Sequence, residues 1–258
     1  MDSQAIADQL IMAERKRTAI TAFTRTFPFL GVKQAYQAQE LLVQHRLANG
    51  ENLIGAKLGM TSLIMQQAVN IREPVYGWLT SGMVAPHGEP LPLDELIHPR
   101  AEPEIAFLLR DEPAQPATIT SVLAATEAVI GAIEVFDSRY AYYQYRLPDV
   151  IADNIGAARF VLGPQARRPG ELEDLRLVGC VFRSDGEVVG TGAGGAALGH
   201  PAAAVAWLVN TLAAQGKQLP AGSLVLSGGL TAPVPLSRGR ALSADFDGLG
   251  TVGVYGGT

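Results

Sequence analysis

Apolar side chains recur at helical spacing at the N-terminal end of the chain. Ile6 and Leu10 fall on one side of a helix that Ser3 can cap. A second helix is predicted for residues 32–47, because Asn49-Gly50 directly after it is a common signal for the end of a helix. The pattern therefore predicts that the chain begins with a helical segment.

Beyond this segment the apolar positions follow the shorter patterns of β-strands. Residues 105–109 form a continuous apolar run, as in a strand that is buried on both faces. The other predicted strands are 53–58, 132–136, 175–183, 187–190, 223–226, 241–246 and 251–255, the predicted helices are 61–69, 118–129 and 201–215, and 83–95 is a predicted connector. The predicted fold class is α+β, with a helical N-terminal segment, residues 1–50, before a larger domain, residues 51–258.

Composition narrows the class of protein. The chain has 258 residues, of which 48% are hydrophobic and 17% are charged, as in a globular protein that can bury a full core. The net charge is −5 and there is no long basic run, so a nucleic-acid partner is not expected. An anionic substrate would have to be held by local lysine, arginine or metal.

The single cysteine and the apolar stretches indicate the cellular compartment in which the protein is expected. Cys180 is expected to be a small buried residue in a strand, and one cysteine fits a reducing compartment. The N-terminus lacks the basic start of a signal peptide, and the longest apolar stretch, residues 202–209, is too short to span a bilayer. We therefore expect a cytoplasmic protein without a membrane partner.

Three glutamates stand in apolar surroundings. Glu102 and Glu104 flank Pro103, and Glu134 lies in the predicted strand 132–136. Alternate residues of a strand point to one face, and carboxylates are rarely buried unless they are paired or bound to a metal. One interpretation is a site for a hard divalent cation such as Mg²⁺ or Mn²⁺. The other is a set of solvent-facing residues on a half-buried sheet, with Pro103 marking an edge strand or a bulge.

Three further polar positions each allow two interpretations. Lys57, between Gly55 and Gly59, is either held in a site or extends to the surface. Asp137-Ser138-Arg139 directly follows the Glu134 strand and is either part of a site or a solvated loop. Asp153-Asn154 is either a site element or a turn signal.

Four motifs follow one another along the chain. They are Gly-x-Lys-x-Gly-Met-Thr-Ser at 55–62, Glu-x-Glu-Ile-Ala-Phe at 102–107, Ile-Glu-Val-x-Asp-Ser-Arg at 133–139 and Ala-Asp-Asn at 152–154. In this order they resemble the fumarylacetoacetate hydrolase superfamily, and most closely its hydratase/decarboxylase branch of meta-cleavage aromatic degradation. The resemblance runs from about Glu51 to the C-terminus and implies a fumarylacetoacetase C-terminal-like mixed β-sandwich roll for residues 51–258.

The resemblance also implies roles for individual residues. It implies that a Mg²⁺ or Mn²⁺ ion is bound by Glu102, Glu104 and Glu134. It implies that Lys57 is catalytic and lines the substrate site, and that Arg139 and Asn154 contact the substrate.

Two activities of this branch are implied: decarboxylation of 2-oxohex-3-enedioate and hydration of 2-hydroxypenta-2,4-dienoate. Pro74-Val75-Tyr76-Gly77 has valine where the hydratases resemble Pro-Asp-Phe-Gly, whose aspartate could serve as acid or base. Asp137-Ser138-Arg139-Tyr140, and Gly192-Ala193-Gly194 together with Leu198-Gly199-His200-Pro201, also resemble the decarboxylases. The chain departs from the usual Asp-Asn-Ala-Ser, because Ile155-Gly156 follow Asn154, so any role of that serine is lost.

The expected partners follow from these activities. They are a small dicarboxylic 2-oxo acid as substrate, a second copy of the chain in a homo-oligomer, and the hydratase of the same pathway in a complex. The alternatives are the hydratase, a hydrolase of acylpyruvates, for which no clear His-Glu pair is present, and a non-catalytic subunit that scaffolds a partner enzyme.

Overall fold

The computed structural model describes residues 1–62, 66 and 73–257 of the chain. The helix expected for residues 61–69 therefore lies mostly outside the described residues. Short 3₁₀ turns connect several of the elements. The described α-helices are α1 Ser3–Lys16, α2 Phe23–Thr26, α3 Val32–Ala48, α4 Ile119–Ala125, α5 Leu147–Ala152 and α6 Pro201–Ala213.

Two of these helices differ from their predicted form. The cap of α1 is Asp2 instead of Ser3, because the Asp2 carboxylate accepts the N–H of Ala5 at 2.8 Å. The helix predicted for 118–129 ends at Ala125, where a strand begins. Pairing within the sheet outweighs the helical composition of the last four residues.

The strands form two sheets. The larger has the order β2-β1-β9-β4-β5-β6, with β10 also paired to β4, and the smaller has the order β3-β12-β11-β7-β8. The β1–β9 and β3–β12 pairs are parallel, and the other strand pairs are antiparallel. The strands are β1 Leu53–Gly59, β2 Val75–Thr80, β3 Pro90–Leu91, β4 Arg100–Leu109, β5 Thr126–Phe136, β6 Ala157–Arg167, β7 Gly179–Ser184, β8 Glu187–Ala193, β9 Leu224–Leu226, β10 Val234–Pro235, β11 Ala241–Phe246 and β12 Gly250–Gly256.

The α+β prediction is confirmed, and its errors lie mainly at the edges of the large sheet. The strands β2 and β6 were not predicted from the pattern, and they are the two ends of the strand order. An edge strand needs only one partner, so its sequence can carry Gly77 or Pro164 without loss of pairing. Pro103 does not mark an edge, because β4 lies between β9 and β5. It falls instead where the neighbouring chain passes from β9 to β10.

The two faces of the large sheet differ in chemistry. Side chains such as Phe107 and Ile133 point to an apolar core shared with the smaller sheet and with α6. The sheets approach closely at Gly131, where an added β-carbon would lie 2.7 Å from the Phe246 ring. The alternate residues of β1, β4 and β5 point to the opposite face, and they include Lys57, Glu102, Glu104 and Glu134.

The N-terminal helices pack against elements that border this second face. Ile6 and Leu42 share an apolar cluster with Val75 at the start of β2 and with Ile155. The fully buried amide of Gln39 donates to the backbone carbonyls of Tyr76, at 3.0 Å, and Ile151, at 2.9 Å. The helices are therefore joined to β2 and α5 by both apolar and polar contacts.

The stretch Gly194–Ala213, which contains α6, is apolar and long enough to cross a membrane by length and composition. Half of its apolar window is buried inside the protein, and Leu208 and Leu212 are fully buried in the main core. Core helices of globular proteins pass the same test, so the stretch is weak evidence for a membrane span.

A candidate metal centre on the second face of the large sheet

The register of β4 and β5 brings three carboxylates together. Glu102 lies directly opposite Glu134, and Glu104 lies opposite Ala132. One carboxylate oxygen from each of the three glutamates lies within 4.8 Å of the others. The pairing of β4 with β5 therefore forms a carboxylate cluster, which the spacing of Glu102 and Glu104 in the sequence could not establish by itself.

The carboxylate oxygens of this cluster are poorly supplied with hydrogen-bond donors. Glu104 is 0% exposed and Glu134 is 1% exposed. Glu104 Oε2 accepts the N–H of Gly228 at 2.7 Å, but Glu104 Oε1 has no hydrogen-bond partner among the described residues. Glu134 Oε1 has none either, and Glu134 Oε2 faces the Lys57 ammonium at 2.8 Å. Buried polar atoms without partners need an explanation, and a bound cation supplies one.

Burial and mutual repulsion shift the pKa values of these groups. Burial, together with the charge of Glu134, raises the pKa of Glu102 to about 7. The same two causes, joined by the charge of Glu102, raise the pKa of Glu104 well above its usual value. Burial disfavours the Lys57 ammonium, but attraction to the three carboxylates outweighs this and raises the pKa of Lys57. The cluster therefore holds one firmly charged cation against up to three anions, an excess of two negative charges.

The residues fit a hard divalent cation. Mg²⁺, Mn²⁺ and Ca²⁺ prefer carboxylate oxygens, and a charge of +2 balances the excess of two negative charges. The three carboxylates project from neighbouring strands, which hold them in place without a cation. Glu102, Glu104 and Glu134 are thus the candidate ligands of a divalent metal ion.

Lys57 faces this site instead of solvent. Its side chain is 3% exposed, and its ammonium lies 2.8 Å from Glu134 Oε2 and donates to the carbonyl of Ile155 at 3.3 Å. The ammonium also lies 5.9 Å from the centre of the Phe136 ring. These contacts fix a positive charge beside the carboxylates.

Arg139 lies outside the cluster and is occupied by protein oxygens. Its Nε lies 2.6 Å from Asp153 Oδ1, and its other nitrogens donate to the carbonyls of Asp137, Ala157 and Asp153. The side chain is 2% exposed. The expectation that Arg139 contacts substrate therefore has no geometric support, because its guanidinium instead ties the end of β5 to the segment that follows α5.

Asn154 has a similar structural position. Its side-chain amide donates to the carbonyl of Trp78 at 2.9 Å and accepts the N–H of Trp78 at 2.7 Å, so both ends of the amide are used by β2. Asn154, Ile155 and Gly156 all have positive φ. This conformation is unusual for a β-branched residue. It presents the carbonyl of Ile155 to Lys57, so this segment positions the lysine and does not offer a free amide to a ligand.

Two glycines of the site were missed in the sequence. Gly228 donates its N–H to Glu104, and its φ of +106° is one that glycine adopts readily. At Gly229 an added β-carbon would lie 2.3 Å from Glu102 Oε2, so a larger residue would collide with the carboxylate. The available signal was a glycine pair two residues after the buried strand 224–226.

Comparison with known proteins shows the family of this chain. The family model for the fumarylacetoacetate (FAA) hydrolase C-terminal domain matches residues 48–254. The chain is 38% identical over 249 residues to a 4-oxalocrotonate decarboxylase of Pseudomonas sp. (strain CF600), covering 96% of this chain and 94% of the relative. It is 42% identical over 209 residues to a 2-hydroxypent-2,4-dienoate hydratase of Pseudomonas putida, covering 80% and 94%.

A solved structure is similar over nearly the whole chain. It is the 4-oxalocrotonate decarboxylase from Pseudomonas putida G7, complexed with magnesium and adipate. The TM-score is 0.94 at 35% identity, and the match covers 98% of this chain and 96% of the other. The described fold, with its N-terminal helices and two sheets, is therefore the fold of that enzyme.

Proposed function

This chain belongs to the fumarylacetoacetate hydrolase family, and from that premise we propose that it is a metal-dependent lyase that decarboxylates 2-oxohex-3-enedioate to 2-hydroxypenta-2,4-dienoate and CO₂. Its relatives include decarboxylases and hydratases, both of them lyases of meta-cleavage pathways. Similarity alone does not choose between them. The choice rests on Val75, which lies beside the strand that carries Lys57.

The observation that carries the proposal is the apolar side chain of Val75. Val75 is 3% exposed, and its methyl group and those of Ile155 lie around Gly59, on the strand that carries Lys57. Ile155 in turn offers its carbonyl to the Lys57 ammonium. A valine cannot exchange a proton, whereas hydration requires both a proton for carbon and an activated water. Loss of CO₂ requires neither.

The reaction breaks one carbon–carbon bond of the substrate. The bond between C5 and C6 breaks and CO₂ leaves. The electron pair of that bond forms the C4–C5 double bond, the C3–C4 double bond moves to C2–C3, and the C2 oxygen takes one proton from solvent to become the 2-hydroxy group. Glu102, Glu104 and Glu134 would hold the divalent cation. When bound, the cation supplies a chelation point for a 2-oxo acid and a Lewis acid for the charge on the C2 oxygen.

Lys57 contributes a second, permanent positive charge. Its raised pKa keeps the ammonium protonated at neutral pH, so it acts as a donor and not as a base. Its contacts with Glu134 and Ile155 hold it in place before substrate arrives. A preorganised charge of this kind is most useful where negative charge develops during the reaction.

The test offers each substrate separately to the purified protein with Mg²⁺. We expect CO₂ release from 2-oxohex-3-enedioate, with 2-hydroxypenta-2,4-dienoate accumulating without loss of its dienol absorbance. Rapid hydration of 2-hydroxypenta-2,4-dienoate, with no CO₂ from the diacid, would assign the chain to the hydratases instead. That second candidate is supported by the 42% identity to a hydratase.

A variant sharpens this test. Val75→Asp restores the acidic residue of the hydratase-like motif, and we expect it to gain measurable hydration. Val75→Asn is the matched control, since it has similar size and polarity without the ionisable group. Equal hydration by both variants would mean that acid chemistry at this position does not separate the two reactions.

We further propose the setting in which the protein acts. Residues 1–50 would be a helical segment and residues 51–258 the catalytic domain. The enzyme would work in the cytoplasm as a homo-oligomer and would pass its product to the pathway hydratase in a complex. Metal content by elemental analysis tests the non-catalytic alternative, because a scaffolding subunit has no need to retain a bound cation.

A further inference from the structure

Arg100 begins the strand that carries the metal ligands. It lies two residues before Glu102 in β4, with unbroken register, so its side chain points to the same face. Across the ladder, Arg100 lies opposite Phe136 just as Glu102 lies opposite Glu134. The α-carbons of residues two apart in a strand are separated by about 6.6 Å. Arg100 is therefore the next position along this face from the carboxylate cluster.

Arg100 is exceptional among the arginines that are at least partly buried. In the part of the chain that the structure describes, the other four each have an acidic partner at ion-pair distance, and Arg100 has none. These four are Arg46, Arg139, Arg159 and Arg183. A half-buried charge without a partner is costly unless a ligand compensates it.

Aromatic rings hold the Arg100 guanidinium at this position. Its central carbon lies 4.3 Å from the centre of the Tyr143 ring. The Tyr143 ring in turn stacks on His98, at 4.7 Å, and meets the edge of Phe136, at 5.9 Å. The Lys57 ammonium lies 5.9 Å from the centre of the same Phe136 ring. Phe136 thus lies between the charge at the metal site and the aromatic support of Arg100.

The backbone beneath this aromatic support is strained. Tyr142 and Tyr143 both have positive φ, at 59° and 54°, which bulky residues seldom adopt. Strained conformations of this kind persist where the surrounding structure enforces them and are concentrated at functional sites. The hydroxyl of Tyr143 donates to the carbonyl of His98, which secures the ring in this conformation.

We propose that Arg100 binds the far carboxylate of the substrate and so selects dicarboxylic over monocarboxylic 2-oxo acids. This inference rests on the proposed function, in which the 2-oxo acid end of the substrate would be held at the metal site. The carboxylate carbons of an extended six-carbon diacid are roughly 6 Å apart, from five carbon–carbon bonds of about 1.5 Å. This length is of the same order as the ~6.6 Å between the α-carbons of Glu102 and Arg100 along the strand. A planar guanidinium also suits two-point binding of a carboxylate.

The chemistry predicts how Arg100 would divide its effect between binding and turnover. The far carboxylate is the group that leaves as neutral CO₂, so its contact with Arg100 is strongest in the ground state. Such a contact lowers KM without raising kcat. Arg100→Gln should therefore raise KM for 2-oxohex-3-enedioate about 10- to 100-fold and leave kcat unchanged or higher, as expected for loss of a charge-assisted hydrogen bond.

The decisive experiment measures binding of two inert analogues to the Mg²⁺-loaded protein by calorimetry. These are 2-oxoadipate, which has both carboxylates, and 2-oxohexanoate, which lacks the far one. We expect the native protein to prefer 2-oxoadipate by about 10- to 100-fold. Arg100→Gln should abolish this preference, with 2-oxohexanoate binding unchanged, and Arg100→Lys should retain part of it.

Arg110→Gln is the matched control. Arg110 directly follows the other end of β4 and is ion-paired with Asp111 on the surface. We expect this variant to bind both analogues like the native protein. Unchanged Mg²⁺ affinity in Arg100→Gln shows that the variant is folded around its metal site.

Three results would overturn the inference. One is a native protein that does not prefer 2-oxoadipate. Another is a preference that survives in Arg100→Gln. The third is an equal loss of affinity for both analogues in that variant, which would place Arg100 at the 2-oxo acid end of the ligand. CO₂ release is measured separately. If the protein prefers 2-oxoadipate through Arg100 but releases no CO₂, the proposed decarboxylation is wrong and the dicarboxylate site is still supported.

Discussion

Two buried ion pairs in this protein have the same charges and almost the same exposure but opposite surroundings. Lys57 and Glu134 are 2.8 Å apart with side chains 3% and 1% exposed, and Arg139 and Asp153 are 2.6 Å apart with both side chains 2% exposed. Around the arginine, its other guanidinium nitrogens donate to three backbone carbonyls, and Asp153 Oδ2 accepts from the Ser138 hydroxyl and the Arg139 N–H. Among the described residues, the two facing atoms of this pair, Arg139 Nε and Asp153 Oδ1, have no further hydrogen-bond partner. Around the lysine, carboxylate oxygens are left without hydrogen-bond partners among the described residues.

The difference separates a structural pair from a binding site. At Arg139 the charges balance within the protein, so nothing further is required there. At Lys57 the three glutamates, when all are ionised, exceed the single ammonium by two charges, and this excess is available to a ligand. Neither burial nor ion pairing distinguishes these places, whereas the balance of charges and hydrogen bonds does.

The largest effect is expected at the glutamates. Glu104→Gln, with Mg²⁺ present, should lower decarboxylation at least about 10³-fold, because a metal ligand and its Lewis-acid chemistry are weakened. The free energy of unfolding of the metal-free protein should not fall, since the change relieves repulsion. Steady-state rates and urea unfolding measure the two quantities.

The exposed Glu112→Gln is a control for loss of one negative charge near β4. High Mg²⁺ should partly restore Glu104→Gln. Full activity of native protein after treatment with EDTA would contradict the role of the metal ion altogether.

The second effect concerns stability. Arg139→Met leaves Asp153 buried without its partner and should lower the free energy of unfolding by about 3–5 kcal/mol. Adding Asp153→Asn should recover part of this loss, because the unpaired charge is removed. Urea unfolding of the metal-free proteins is the measurement. If Glu104→Gln destabilised the protein as much as Arg139→Met, the distinction between the two pairs would be wrong.

Lys57→Ala should lower kcat about 10²-fold, because one preorganised positive charge is lost. Mg²⁺ should bind no more weakly than in the native protein, because an ammonium beside the cation has been removed. Titration of Mg²⁺ followed by calorimetry checks the second part. The control is Lys217→Ala, which removes an ion pair with Glu40 away from the cluster. Weaker Mg²⁺ binding in Lys57→Ala would show that the lysine mainly supports the ligands.

The smallest effect is a pH dependence of Mg²⁺ binding at the carboxylate cluster. The pKa of Glu102 is raised to about 7 and that of Glu104 is raised further above its usual value, so the metal-free site holds protons that a cation must displace. Mg²⁺ affinity should rise with pH up to about 7, roughly tenfold per unit for each proton displaced. Without metal, the fold should lose stability over the same rise, because the folded state binds more protons than the unfolded state. An Mg²⁺ affinity that is constant from pH 5.5 to 7.5 would contradict these shifts.

Much of the fold could be predicted because burial leaves a clear pattern. The apolar runs 105–109 and 132–136 lie inside β4 and β5, and the α3 and α6 helices begin where they were predicted to begin. The pattern failed where neighbouring strands decide the structure. The strand β5 extends back over residues 126–129, whose composition alone favours a helix, because they pair with β4 and β6.

The site was predictable in its residue types and not in its contacts. The Glu-x-Glu spacing and the resemblance pointed to Glu102, Glu104 and Glu134, and the structure brings their oxygens together. Arg139 and Asn154 belong to the same motifs, yet their side chains are bound to other parts of the protein. Motif membership alone does not show whether a polar group faces a ligand or the backbone.

The register between β4 and β5 has a consequence for folding itself. A slip of one residue in this pairing would turn Glu102 and Glu104 toward the face packed under Phe246 and the smaller sheet. Two carboxylates would then enter an apolar core with no cation to receive them, at a prohibitive cost. The carboxylates of the site therefore also raise the free energy of wrongly registered strand pairs while the sheet assembles. A variant with one residue deleted from β4 should therefore be found in the insoluble fraction after expression.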